Sequence, residues 1–392
     1  MKNTLEIQSL ALSPRYLALA LFILLALPPL ADAEKRAVGD GKSMADSQLL
    51  LAAADKADNR TIWVSYTDDA PPIAPRGFYT KGKYVYTARG EKHIFRGVNR
   101  PGYEDKLDGD FLLHENEFRE MARWGVNVVR IPMNQHWWLT NERGYKAKIR
   151  RVIDWTLDNG MTAIADLYRS VRGGAVVDLA MADDESLAFW KDFAAEYKDE
   201  GRVLFELYNE PKSVSAEVWM HGGVVGDNKY VGMQQLYDAI RDLGAHNLIL
   251  IGGLNWGYDL RGLKEHPLSK DAYNVVYSSH LYNYGGKRVE NWRECWAWVA
   301  DTHPVILTEF GYTKDDRQPD GSYALDYEKA VFDFAEQHDV GWTAWAWTSI
   351  FLKHTIFVRT IPHTYAPSKG IFEPLTPHGQ LIKDNLLKHT RP

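Results

Sequence analysis

The sequence predicts an α/β fold, a single (β/α)8 barrel of the TIM type with a short N-terminal β-hairpin. Eight short apolar runs, at 94–99, 126–131, 162–166, 203–210, 248–251, 274–280, 305–309 and 342–347, alternate with amphipathic stretches of helical period. Such alternation calls for a parallel sheet, and eight strands suit closure into a barrel. The runs also end in polar or aromatic residues: Asn99, Arg130, Asp166, Asn209-Glu210, Asn255-Trp256, His280, Glu309 and Trp345. A barrel gathers its strand C-termini at one mouth, where such groups have a use that a packed core would not require. A doubly wound open sheet is the alternative, but no G-x-G-x-x-G follows the first strand.

Taken in order, residues 1–33 read as a signal peptide. Lys2 and Arg15 precede the apolar run from Tyr16 to Leu27, and Ala31-Asp32-Ala33 offers an A-x-A cleavage pattern before Glu34. The run is short for a membrane span, so cleavage and release to the periplasm or the exterior are expected, with no stable span afterwards. Residues 34–75, ending in Pro71-Pro72 and Pro75, read as a leader, and residues 76–392 as the barrel domain. Turns at Lys81-Gly82-Lys83 and Ala88-Arg89-Gly90-Glu91 predict a hairpin over 78–95 that could cap one end of the fold. Helical patterns cover 115–124, 145–159, 186–200, 233–243 and 327–338. Residues 348–376, with Phe351, His354, Phe357, His363 and Tyr365, are long for a barrel loop and suit a lid or a wall. Cys295 is the sole cysteine, set in a Trp-rich helical segment; no intramolecular disulfide exists, and a buried inert thiol is expected.

Composition narrows the function. A net charge of −6 and the lack of any basic tract argue against a nucleic-acid partner. The 14 Trp and 21 Tyr exceed what a core needs. Flat aromatic rings with an N–H or O–H handle are suited to the apolar C–H faces of sugars, although about half of the Trp residues are assigned to the core. The 13 His show no metal-ligand spacing, and no metal or other cofactor is expected.

Two runs carry the chemistry. Val203-Leu204-Phe205-Glu206-Leu207-Tyr208-Asn209-Glu210-Pro211 delivers Glu210 to a strand end beside an amide; Pro304-Val305-Ile306-Leu307-Thr308-Glu309-Phe310-Gly311 delivers Glu309. Carboxylates are costly beside hydrophobic strands, so a pair at strand ends points to acid/base work. Two carboxyls flanking a scissile bond are the machinery of glycoside hydrolysis. Helix N-terminal caps are the plain alternative for both. Glu206 lies mid-strand below the mouth, where a buried ion pair with an inward Arg fits better, and Asp166 reads as structural.

From about Gly77 to Gly341 the chain resembles glycoside hydrolase family 5, especially its secreted bacterial cellulases, the endo-β-1,4-glucanases. The matching elements are Phe95-Arg96-Gly97-Val98-Asn99, Val129-Arg130-Ile131-Pro132, Tyr208-Asn209-Glu210-Pro211, His280-Leu281-Tyr282, Thr308-Glu309-Phe310-Gly311 and Ala344-Trp345-Ala346-Trp347. The resemblance implies a retaining mechanism with Glu210 as acid/base and Glu309 as nucleophile, one carboxyl raised by the other so that the acid stays protonated. It implies that Arg130 positions Glu309 and lowers its pKa, and that Asn209 bonds the sugar 2-OH. It further implies that His280 and Tyr282 face the site, with Tyr282 supporting Glu309, and that Trp345 is the platform under the reacting sugar. Trp347 reads as barrel plug. Trp256, Trp137 and Trp138 either line outer subsites or pack in loops.

One departure stands out. The family carries a histidine at the end of the third strand, where this chain runs Asp166-Leu167-Tyr168-Arg169, so Tyr168 takes its place beside the reacting sugar. Three functions follow: a monomeric endo-acting β-1,4-glucanase, a hydrolase of another β-linked glycan (mannan, mixed-linkage glucan or an exopolysaccharide), or a glycan-binding barrel whose turnover the Tyr168 change has weakened.

Overall fold

The computed structural model describes residues 71–110, 112–312, 324–349, 355–358 and 365–390. The predicted signal peptide, most of the leader, and Phe351, His354 and His363 lie outside the described residues.

Eight parallel strands close on themselves: Arg96–Asn99, Val128–Asn134, Thr162–Arg172, Val203–Glu206, Ile249–Gly252, Val275–Tyr282, Val305–Gly311 and Gly341–Ala344. Trp342–Ala344 pairs with Arg96–Val98, which seals the barrel. All eight expected strands form, with ends shifted by a few residues. The fourth leaves the ladder at Glu206, four residues before Glu210. The third runs on to Arg172 and folds back antiparallel through Ala175–Val177.

The five expected helices also form, as Glu115–Arg123, Tyr145–Asp158, Asp184–Tyr197, Met233–Arg241 and Asp326–His338. Ile149, Val152, Ile153 and Thr156 show why: spacings of three and four put one stripe of Tyr145–Asp158 into the core. Asp183 caps the third helix by accepting from the Ser186 N–H at 3.1 Å. A further helix, Pro377–Leu387, follows the eighth strand.

The N-terminal segment is a three-stranded antiparallel meander, Phe78–Lys81, Tyr84–Thr87 and Lys92–His93. Its Phe78 and Val85 pack with Phe95, Val128, Ile164, Leu204, Leu248, Leu250, Val276 and Ile306, the inward side chains at the strand starts. The hairpin therefore plugs the bottom of the barrel. Ile73 and Ala74 are buried, and the Pro75 carbonyl accepts from Gly201 at 2.9 Å, so the chain is already seated on the barrel there. Trp347 and Phe357 are buried against Trp124, which makes Phe357 core rather than a cleft wall. Cys295 is buried, as expected.

Inward positions recur every second residue, so each strand can be followed upward. The third reads Ile164, Asp166, Tyr168; the fourth Leu204, Glu206; the sixth Val276, Ser278, His280, Tyr282. Apolar bottoms give way to charged middles, and the mouth is polar and aromatic.

Candidate active site

Arg130 anchors the middle layer and is fully buried. Its Nη1 donates to Asn99 Oδ1 at 3.0 Å and to Glu309 Oε1 at 2.7 Å, and its Nη2 donates to Asn209 Oδ1 at 2.8 Å. Nε pairs with Glu206, and Nη2 lies 3.0 Å from Asp166. Burial would lower the guanidinium pKa, but the charges of Asp166, Glu206 and Glu309 drive it well above its ordinary value. One cation cannot balance three carboxylates in a dry layer. Asp166 yields: burial pushes its carboxyl well up, against the pull of Arg130. Its contact with Arg130 has the distance but not the angle of a hydrogen bond. Glu206 is held from the other side by Ser278 and Thr308 hydroxyls at 3.0 and 2.9 Å. Both inner acids are thus struts beneath the mouth, as is Asn99, whose amide donates to the Thr308 and Thr343 carbonyls at 2.9 and 3.1 Å.

Glu309 sits above this layer, 3 % exposed, with Tyr282 donating to its Oε2 at 2.9 Å. A register slip between the sixth and seventh strands places it. Ser278 pairs with Ile306, yet His280 pairs with Glu309, so two residues face three. That extra residue turns both Thr308 and Glu309 toward the barrel axis, although they are consecutive.

Glu210 is half-buried, with Oε1 3.0 Å from His280 Nδ1. The expectation that its carboxylate neighbour raises its pKa is corrected. Burial does act upward, but the His280 hydrogen bond and charge, with Lys287 and Lys212, outweigh it and hold Glu210 at about 2. His280 Nε2 faces Thr308 Oγ1 at 3.1 Å. That hydroxyl spends its hydrogen on Glu206, so it accepts from His280 and Nε2 carries a hydrogen. One proton then lies between His280 Nδ1 and Glu210. Donor atoms of Glu210, His280 and Glu309 all lie within 4.8 Å of one another. They are the group that could hold a metal ion among the described residues.

The remaining predicted residues also reach the mouth. Asn209 is buried, and its Nδ2 finds no acceptor among the described residues. Trp256 is 47 % exposed, on a backbone with successive left-handed residues at Asn255, Trp256 and Gly257. Its N–H donates to the Pro211 carbonyl at 3.1 Å, which fixes it beside Glu210. Only glycine fits next: a β-carbon on Gly257 would lie 2.8 Å from the His280 ring. Tyr168 stacks on Trp345, with centroids 5.9 Å apart and planes at 12°, while the Arg169 guanidinium covers its ring at 4.1 Å. Trp137 and Trp138 are buried, and Trp138 donates to Asp192 at 2.7 Å; both pack below the loops.

Sequence reasoning missed Lys287 and Thr308. Lys287 is buried, donates to the Trp256 carbonyl at 3.3 Å, and is lowered by burial to about 8 against the pull of Glu210 and Glu309. Its place after Gly285-Gly286 was a faint signal, since loop residues have no period to show where they point. Thr308 would have been assigned to the opposite face from Glu309 by strand alternation.

Residues 88–350, well over half of the chain, match the model for cellulase (glycosyl hydrolase family 5). The chain belongs to glycoside hydrolase family 5. Among family relatives, an endoglucanase of Clostridium saccharobutylicum is 26% identical over 269 residues, 68% of this chain and 55% of that protein. A mannan endo-1,4-beta-mannosidase of Salipaludibacillus agaradhaerens is 24% identical over 287 residues, 69% of this chain and 81% of that protein. The chain thus spans only about half the length of the first. A beta-glucanase from Saccharophagus degradans superposes with a TM-score of 0.62 at 20% identity, covering 83% of this chain and 98% of that one. The catalytic domain of Thermobifida fusca endoglucanase Cel5A gives 0.61 at 19% identity, covering 79% and 96%. Among the described residues, no helix is long and apolar enough to cross a membrane.

Proposed function

We propose that this family 5 chain is a retaining, endo-acting hydrolase of β-1,4-linked glucan. The observation that carries the reading is the carboxyl pair: oxygens of Glu210 and Glu309 within 4.8 Å. Retaining enzymes hold their carboxyls about 5–5.5 Å apart, leaving no room for a water between carboxylate and sugar. The surroundings divide the roles. Glu309 is held by Arg130 and Tyr282, both donors, as an attacking carboxylate needs. Glu210 shares a proton with His280.

In the first step a Glu309 oxygen bonds to the anomeric carbon as the bond to the leaving oxygen breaks, and that oxygen takes the Glu210 proton. A glycan seated over the pair excludes water and disfavours separated charges, so the shared proton moves from His280 to Glu210. In the second step Glu210 takes a proton from water, whose oxygen bonds to the anomeric carbon and frees Glu309. Two inversions give net retention. Asn209 Nδ2 supplies an unspent donor for the 2-OH, Trp345 the platform, and Trp256 a face on the leaving-group side beside Glu210.

Similar solved structures hold cellotetraose, which supports a glucan chain in the cleft. Tyr168 on Trp345 narrows the reacting subsite and is the feature that bears on which β-glycan fits. We also propose that residues 1–33 are a signal peptide, that the mature protein begins at Glu34 outside the cytoplasm, and that it acts as a monomer; N-terminal sequencing and light scattering of the exported protein test this. Proton NMR of the first product, across a panel of soluble β-glycans, tests the mechanism: the β anomer is expected before mutarotation, and an initial α anomer overturns retention.

A further inference from the structure

The C-terminal helix Pro377–Leu387 lies beyond the residues that match the family, yet it reaches the end of the eighth strand. His378, wholly buried in its first turn, places Nε2 2.8 Å from the Trp345 carbonyl oxygen. A carbonyl only accepts, so Nε2 carries a hydrogen. Nδ1 meets Oε1 of Glu328, equally buried in helix Asp326–His338, and one proton is held between them. Glu328 thus decides which ring nitrogen faces Trp345.

The seat of this histidine is built in other ways too. Thr376 caps the helix, accepting from the Gly379 N–H at 2.9 Å, and its own N–H donates to the Ile356 carbonyl at 3.0 Å. A β-carbon on Gly379 would collide with that same carbonyl, so glycine is what lets the helix approach. Tyr312, just past the seventh strand, sets its ring edge-on against His378 at 5.5 Å. Two helices and two strand ends therefore converge on one imidazole.

The target of that imidazole lies one residue past the end of the eighth strand. The eighth strand ends at Ala344, and the Trp345 N–H still donates to the Phe310 carbonyl at 3.0 Å, but its own carbonyl is met by His378. We propose that His378, oriented by Glu328, is a positioning residue that sets the Trp345 indole for the reacting sugar. The proposal rests on the reading of Trp345 as the sugar platform.

The test is a double-mutant cycle on the full chain, with kcat/KM on the best soluble glycan and Tm measured for each protein. His378→Met fills the space without a donor; His378→Gln restores an amide donor near the position of Nε2. Trp345→Ala is expected to lower kcat/KM at least about tenfold, losing a stacking face. His378→Met is expected to lower it about three- to tenfold, the range for one hydrogen bond, and His378→Gln to recover most of it. In the Trp345→Ala background His378→Met should cost nothing further. An equal loss in both backgrounds, or a lower Tm with kcat/KM intact, overturns the positioning role. An unchanged kcat/KM for Trp345→Ala overturns the platform reading itself, and the proposal with it. If His378→Met does not fold, nitrogen-15 NMR of the histidine-labelled native protein decides, with His378→Gln assigning the signal: a protonated Nε2 supports the proposal and a bare one overturns it.

Discussion

The two ends of this barrel obey opposite rules. At the bottom a layer of apolar inward side chains runs from Phe95 round to Ile306, with Phe78 and Val85 of the hairpin as the stopper. Two to four residues further up the same strands stand Arg130, Asp166, Glu206, His280 and Glu309, all buried. The bottom gains from removing apolar area from water and needs no particular orientation. Above it, each group has meaning only through its partner, and Arg130 alone touches Asn99, Asn209, Glu206 and Glu309. The hydrophobic end carries stability, and the polar end spends some of it on preorganised charge.

Substitutions at the two ends should separate these properties. Glu210→Gln and Glu309→Gln are expected to lower kcat by about 10²–10⁴-fold or more, the contribution of a positioned acid or base, while Tm stays near that of the native protein. Leu250→Ala at the bottom should do the reverse, costing about 2–5 kcal/mol of stability with kcat intact in the folded protein. Activity assays and thermal melts on the three variants check both halves. A fully active Glu210→Gln would end the assignment.

Arg130→Met is expected to blur the division. It leaves Glu206 and Glu309 buried without their cation, at a cost of about 3–5 kcal/mol, and it frees Glu309 to turn. Both Tm and kcat should fall together, which no bottom variant should do.

How far these ends could be read from sequence follows from their physics. Hydrophobic period and strand-end placement are local properties, so the eight strands, the five long helices, the plugging hairpin and the gathering of the residues from Arg130 to Trp345 at one mouth were legible. The register slip that turns Thr308 inward depends on the neighbouring strand, and no residue of the seventh strand announces it. Lys287 and His378 reach their partners from a loop and from the C-terminal helix, across distances that periodicity cannot see. The state of Glu210 was misjudged for the same reason: its nearest charge is His280, a neighbour in space alone.

Tyr168 tests the mouth at smaller scale. Among the described residues its hydroxyl makes no hydrogen bond; its ring lies between Trp345 and the Arg169 guanidinium. Tyr168→Phe keeps that stack and should cost about 0.5–1.5 kcal/mol of transition-state binding if the hydroxyl meets the sugar. Tyr168→Ala should cost more, by exposing Trp345 on one side. The kcat/KM values on the preferred glycan read both, and an unchanged value for Tyr168→Phe removes the hydroxyl from the chemistry.

The smallest expected effect lies with Lys287. Burial lowers its pKa from 10.5 to about 8, and its charge is one of those that hold Glu210 down. Lys287→Met removes that charge, so Glu210 should keep its proton to higher pH and the basic limb of kcat/KM should move upward. Stability gives an independent reading. A base whose folded pKa lies below its unfolded value binds its proton less tightly when folded, so the native state is penalised below pH 8, where both states are charged. Between about pH 8 and 10.5 the unfolded chain binds more protons than the folded one, and stability contributed by this site rises with pH. The advantage in Tm of Lys287→Met over the native protein should therefore shrink as pH rises from 7 to 10. A gap that stays constant over that range would mean that Lys287 keeps its charge in the folded protein, and that its pull on Glu210 persists throughout.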